Sequence, residues 1–312
     1  MLSILFAIPL FIIGIILLVK GSDILVDGTI KIALYFKIPI FIISAVLIGF
    51  GTSAPELAVS VGAGFKNEAG ISLGNIVGSC IANILLIIGI SSLIKPIKIN
   101  EISIKRESAI VFLSSVILII FTVFGLLDKY HIIGGCIFLI FFIVSLYIFV
   151  LSAKQQKQKL EAIKTGKIQK NILLSILGII GVILGAWLLI ESTISFAIAL
   201  GIPSFFIALS VIAIGTSLPE LMVAITASRK GKSDITIGNI LGSNMFNIFL
   251  ILGLSALVIP LNAYVEIDKI IILFIATLCI FPFFYFGRVL ARKEGLIFFI
   301  GYGAFICYSF IF

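Results

Sequence analysis

The stretch Gly51-Thr52-Ser53-Ala54-Pro55-Glu56 lies inside an apolar run, Ile40 to Phe65, long enough to cross a bilayer. A proline and a carboxylate are both costly there. Pro55 donates no backbone hydrogen bond, and its ring clashes with the carbonyl four residues earlier, so it frees the carbonyl of Gly51. Bare carbonyls at membrane depth persist only when buried in protein or lining a wet cavity. A carboxylate at the centre of a membrane helix costs at least about 3 kcal/mol, which marks Glu56 as functional by default.

The stretch is not alone. GTSAPEL at 51–57 returns as GTSLPEL at 215–221, and GNIVGS at 74–79 returns as GNILGS at 238–243. Both pairs stand 164 residues apart, as do Pro39 and Pro203, and Asn83 and Asn247, with no gap needed from Gly21 to Asn83. The chain is an internal duplication. Pro219 frees the carbonyl of Gly215 as Pro55 frees that of Gly51.

Composition sets the surroundings. The 312 residues are 61% hydrophobic and 12% charged, about half the charge of a soluble domain of ordinary composition. The apolar blocks are continuous, whereas a membrane β-barrel alternates. An all-α integral membrane protein is the class that fits. The net charge of +8 comes from short loops between apolar blocks, so it reflects membrane topology and not a nucleic-acid partner. Cys80, Cys136, Cys279 and Cys307 form no CxxC pair and read as small buried hydrophobes. His131 reads as a solvated loop residue. The N-terminal run lacks a positive start and is too long for a signal peptide's core, so it reads as the first membrane helix.

Ten spans can be drawn, at roughly 2–36, 39–65, 71–94, 107–127, 132–152, 171–200, 203–228, 235–259, 266–286 and 295–311. Residues 1–152 form a first five-helix repeat with its motif at 49–83, and 171–312 form a second with its motif at 213–247. A basic loop, 153–170, joins them. Five spans per copy is an odd number, so the second copy enters the membrane from the opposite side: the repeats are inverted. With the loop 153–170 on the cytoplasmic side, seventeen loop lysines and arginines face inward against three outward. Both termini then lie outside. Inverted repeats place a site near the midplane, at broken helices in corresponding positions.

On an unbroken helix Thr52, Ser53 and Glu56 share a face, as do Thr216, Ser217 and Glu220. Asn75, Ser79 and Asn83 fall at i, i+4 and i+8 in the next segment, mirrored by Asn239, Ser243 and Asn247. Gly74, Gly78, Gly238 and Gly242 leave room for close helix packing. Taken singly, a hydroxyl or amide is as readily interhelical glue as ligand; the paired glutamates are not. Asp23 and Asp27 are explained by helical ion pairs with Lys20 and Lys31. All the candidate ligands are oxygens, which suit calcium, sodium and protons. Two facing carboxylates match one divalent cation. Left unpaired in a poorly solvated place they would be costly, so only loaded carriers should switch, which makes an exchanger. A channel or uniporter on the same core is the alternative. A membrane enzyme lacks a recognisable nucleophile or zinc motif, and a purely structural role leaves both glutamates unexplained.

These residues resemble the calcium/cation antiporter superfamily. GTSAPE and GTSLPE, each followed by GNIxGS, are similar to its sodium/calcium exchanger branch and prokaryotic relatives, over essentially the whole chain. The resemblance implies calcium ligation by Glu56 and Glu220, with backbone or hydroxyl oxygens from Thr52 and Thr216. It implies flanking sodium sites at Ser53, Ser79, Ser217 and Ser243 and at the carbonyls of Gly49 and Ala213, closed by Asn83 and Asn247. The first and sixth helices would slide to open the site to alternate sides. Many sodium/calcium exchangers have an aspartate where this chain has Asn247, so two fixed charges replace three. The proton-coupled branch carries a motif closer to GNAxE. The expected counter-ion is sodium, with protons as the alternative. No cofactor and no obligate protein partner is implied, and the membrane is the cell membrane.

Overall fold

The computed structural model describes residues 4–99, 102–155, 167–199, 215–286 and 289–311. Among them the chain is helical, with no strand beyond one isolated bridge. Apolar surroundings force this outcome, because a helix satisfies its backbone hydrogen bonds within itself. In chain order the helices are α1 (Ile4–Phe36), α2 (Ile40–Thr52), α3 (Ala54–Phe65), α4 (Ala69–Ile94), α5 (Ile102–Val123), α6 (His131–Gln155), α7 (Ile168–Ala199), α8 (Leu218–Arg229), α9 (Ser233–Val258), α10 (Ile267–Tyr285) and α11 (Arg292–Ile311). Seven are long and apolar enough to cross a membrane, and α2 with α3 makes an eighth if that bent pair is one span. The protein is a multi-pass membrane protein. Most of the loop expected at 153–170, and the start of the span expected at 203–228, lie outside the described residues.

Helices α4 and α9 are central. Their spans are 78% and 83% buried, against 28% for α1, α6 and α7. Both contain a π-helical turn, Ala82–Ile87 in α4 and Phe246–Ile251 in α9, at the same 164-residue offset as the motifs. Such turns cluster at functional sites because the widened coil re-aims side chains. Here they carry Asn83 and Asn247. Phe142 of α6 packs on Phe246 of α9 and Phe141 on Phe249, with ring centroids 5.2 and 5.8 Å apart, which covers this face of the core.

Helices α1 and α7 pack antiparallel along a seam of glycines. A Cβ on Gly21 would lie 2.9 Å from Val182 N, one on Gly178 2.8 Å from Leu25 N, and one on Gly185 2.7 Å from Leu18 N. Small residues at these points allow the two backbones to touch, which is how membrane helices associate without a hydrophobic driving force. The close packing expected at Gly74, Gly78, Gly238 and Gly242 is met by the last two on α9, where an added Cβ would meet Ser44 Cβ and Ala45 Cα of α2, each at 2.8 Å, but not by Gly74 and Gly78, where an added Cβ would have nothing within 4 Å.

Two backbone pairings tie distant turns together. Ile97 and Leu290 exchange hydrogen bonds at 3.0 Å, and Leu261 N donates to Leu127 O at 2.9 Å. Asp128 accepts from Ala263 N at 2.6 Å and Tyr264 N at 3.3 Å, fixing the same turn.

Three expectations are corrected. His131 opens α6, and its Nδ1 lies 2.6 Å from the Ala256 carbonyl, so the ring is a partly buried tie and not a solvated loop residue. Asp23 and Asp27 pair across helices with Lys230, at 3.3 and 2.7 Å, not with Lys20 and Lys31 along α1. Of the four cysteines only Cys80 is buried; Cys136, Cys279 and Cys307 are exposed on helix exteriors.

Candidate functional site

The site begins with the break that Pro55 imposes. Helix α2 ends at Thr52, Ser53 leaves helical geometry at φ −81°, ψ 6°, and α3 restarts at Ala54 with a 45° bend. Pro55 stands in the first turn of α3, where its missing N–H breaks no helical bond. Ser217 takes nearly the same conformation, φ −87°, ψ 4°, ahead of α8. Each glutamate therefore sits in the first turn of a helix, the end whose dipole favours negative charge.

The break changes who meets whom. Thr52, Ser53 and Glu56 do not share one continuous helical face. Instead each serine reaches the glutamate of the other copy. Ser53 Oγ donates to Glu220 Oε1 at 3.2 Å and Ser217 Oγ to Glu56 Oε1 at 3.4 Å. The GNIxGS serines stay within their own copy: Ser79 donates to Glu56 Oε1 at 3.3 Å and Ser243 to Glu220 Oε1 at 3.4 Å. Ser217 also donates to Ser79 at 3.1 Å, and Ser243 to the Gly49 carbonyl at 3.3 Å. Glu56 and Glu220 are each 1% exposed. The structure thus brings Glu56, Glu220, Ser53, Ser217, Ser79, Ser243 and Gly49 together.

The threonines belong to the scaffold. Thr52 Oγ1 donates to Ile48 O at 3.0 Å and to Asn239 Oδ1 at 3.2 Å, and Thr216 Oγ1 donates to Asn75 Oδ1 at 3.2 Å. Asn75 and Asn239 close the pattern by donating to the backbone carbonyls of Glu56 (3.3 Å) and Glu220 (3.2 Å). These amides tie the helical turns that carry the glutamates to α4 and α9. Asn83 donates to Asn244 Oδ1 at 2.9 Å, and Asn247 is fully buried. Ala213 lies outside the described residues. Asn244 is a residue the sequence pattern did not single out; extending the repeat alignment one residue past GNILGS would have reached it.

The electrostatics of the centre are one-sided. Glu56 Oε2, Glu220 Oε2 and Asn83 Oδ1 are buried without a hydrogen-bond partner. The ion pairs of Lys230 with Asp23 and Asp27, and of Lys269 with Glu266, lie away from this centre. Two buried carboxylates with spare oxygens, with no Lys or Arg paired to them among the described residues, are a receptor for positive charge.

Many apolar spans around such a centre define a helical membrane protein with a buried acidic centre. Comparison with known proteins fixes its family. The profile of the family described as "Sodium/calcium exchanger protein" matches residues 6–151 and 170–311. The chain is 32% identical to sodium/calcium exchanger MaX1 of Methanosarcina acetivorans, over 95% of this chain and 96% of that one. It is 33% identical to the inner membrane protein YrbG of Escherichia coli, over 82% and 81% of the two chains. Its fold matches a solved structure of the sodium-calcium exchanger NCX_Mj soaked with zero Na+ and Ca2+, with TM-score 0.88 and 32% identity over 98% of this chain and all of that one. The chain belongs to the sodium/calcium exchanger family of membrane cation exchangers.

Proposed function

We propose that this protein exchanges calcium for sodium across the cell membrane by alternating access, with Glu56 and Glu220 as the central calcium ligands. The observation that carries the reading is the pair of buried carboxylates, each with an unpartnered oxygen and with no Lys or Arg paired to it among the described residues. One calcium ion balances both charges, and its irregular many-oxygen shell suits the mixture present. Ser53, Ser79, Ser217, Ser243 and the carbonyls of Gly49 and Ala213 flank the centre as sodium ligands. Thr52 and Thr216 add backbone oxygens, since their hydroxyls are engaged with the scaffold. Asn83 and Asn247 close the centre from the π-turns.

The architecture that goes with this function is ten spans in two inverted five-helix repeats, 1–152 and 171–312, joined by a cytoplasmic loop at 153–170, with both termini outside. The exchange of hydrogen bonds between copies supports it: each contact made by Glu56 has its counterpart at Glu220. The α1–α7 pair, sealed by its glycines, is the unit that slides over the rest. Protons are the second counter-ion reading. It is favoured by Asn247, which leaves two carboxylates that two protons would neutralise.

The test is Glu56→Gln and Glu220→Gln, each assayed for calcium binding and for calcium uptake in proteoliposomes. Either change removes one of two charges, so calcium affinity falls by at least about tenfold, or 1.4 kcal/mol, and uptake is lost while the fold persists. Normal uptake by either variant overturns the assignment.

A further inference from the structure

The 164-residue offset relates two surfaces of the α1–α7 unit that the structure holds in different states. On one of them α8 packs against α1. Ser22 and Thr226 share a buried 2.7 Å hydrogen bond there, and Lys230 Nζ reaches Asp27 at 2.7 Å and Asp23 at 3.3 Å. The offset of 164 carries Asp27 to Glu191 and Lys66 to Lys230. Both the acid and the base of the pair are thus kept in the other copy, but there the pair is not made. Among the described residues no ion pair joins Lys66 to Glu191; Lys66 is exposed and Glu191 half-buried. Instead a cavity of about 490 Å³ separates α3 from α7, lined by Pro55, Ala58, Trp187, Glu191, Gly215 and Thr216. It runs from Glu191 to both helix breaks, beside the motifs that carry Glu56 and Glu220. Gly62, the counterpart of Thr226, has nothing within 4 Å of the place a Cβ would take.

We propose that Lys230–Asp27 and Lys66–Glu191 are alternate latches: the first is made in the state described here, the second in the state open to the opposite side. The proposal rests on the inverted-repeat, alternating-access reading, since each copy must be able to take up the other's arrangement. Closing the cavity brings α3 onto α7, as α8 now lies on α1, and carries the Lys66 ammonium to the Glu191 carboxylate. The same movement withdraws α8 from α1 and parts Lys230 from Asp27. A packed interface with two arrangements is bistable, and a contact made in only one of them biases the balance. An exposed ion pair shifts such a balance by up to about fivefold. The two latches are unequal. Asp23, the second partner of Lys230, corresponds to Trp187, and the Ser22–Thr226 pair corresponds to Ala186 and Gly62, whose side chains offer no hydrogen bond. The state seen here holds an extra carboxylate and a buried hydrogen bond that its mirror lacks, which makes it the resting state of the carrier.

The experiment uses the full chain with Cys136, Cys279 and Cys307 each changed to serine; Cys80 is buried and stays. Lys66→Cys with Glu191→Cys, and separately Lys230→Cys with Asp27→Cys, are treated with a short bis-methanethiosulfonate whose spacer stands in for the two lost side chains. Linking within one chain is read by intact mass in calcium, in sodium, and in acidic buffer that holds neither. The Lys230 and Asp27 positions, already in contact, should link promptly in every buffer. The Lys66 and Glu191 positions should link more slowly, and adding Lys230→Ala with Ser22→Ala should speed them by at least about fivefold, since both contacts that hold the first state are then gone. No linking at Lys66 and Glu191 in any buffer, or linking indifferent to loss of the first latch, overturns the proposal. A wrong cargo shows up differently: linking at the second pair that sodium or acid permits and calcium does not would count against the calcium reading and leave the latches standing.

Discussion

At the scale of single residues the centre is built by hydrogen bonds that cross between the two copies. Asn75 and Asn239 carry a structural part of that work. Replacing Asn239 by alanine leaves the Glu220 carbonyl and the Thr52 hydroxyl without their amide partner. An unsatisfied buried group costs about 1–3 kcal/mol, so Asn239→Ala should lower the melting temperature measurably, with Asn75→Ala behaving alike. Asp128→Asn should act through the same term at the turn it caps, since a hydrogen bond to a charged acceptor contributes about 1.5–3 kcal/mol. Much of the centre was legible in the sequence. The constant offset of GTSAPE to GTSLPE pointed to both glutamates and to Ser53 and Ser217, and that of GNIVGS to GNILGS pointed to Ser79 and Ser243. The cross-copy donation from Ser53 to Glu220 was not legible, because helical periodicity reads one face of one segment and Ser53 sits at a break.

At the scale of helices the break, the π-turns and the glycine seam decide what can move. Proline announces the break, but nothing in ANILLI or FNIFLI announces a π-turn, since such turns arise from packing and not from any side-chain preference. The glycine seam was similarly silent. Gly14, Gly21 and Gly28 are scattered through an apolar run and acquire meaning only against Gly178 and Gly185. Gly21→Leu should force the α1 and α7 backbones apart, costing about 1–3 kcal/mol and reducing transport more than stability, as measured by paired melting and uptake assays. Just past the middle of α1, Ser22 and Thr226 share a buried 2.7 Å hydrogen bond, and Lys230 holds Asp23 and Asp27 at an exposed surface. Lys230→Ala should change stability by less than about 1 kcal/mol, because solvent screens that cluster. Thr226→Val should cost about 1 kcal/mol in the same melting assay, because the lost bond is buried.

At the scale of the whole molecule the account turns on charge. Among the described residues no cation pairs with the two central carboxylates, and on the proposed reading the occluded, switching state needs cations to fill it. That reading couples calcium to a counter-ion and forbids flux of calcium alone. Composition made the membrane class legible from the outset, and the duplication made the paired centre legible. The counter-ion was not legible, because sodium and protons are both satisfied by oxygen ligands and the asparagine at 247 removes the one charge that would separate them. The most direct measurement is calcium uptake into proteoliposomes that are loaded with sodium, loaded with acidic sodium-free buffer, or loaded with neither. The account predicts fast uptake from the sodium-loaded vesicles and essentially none from vesicles lacking both counter-ions. Equal uptake in all three would contradict it, and would mean that calcium crosses through this centre uncoupled.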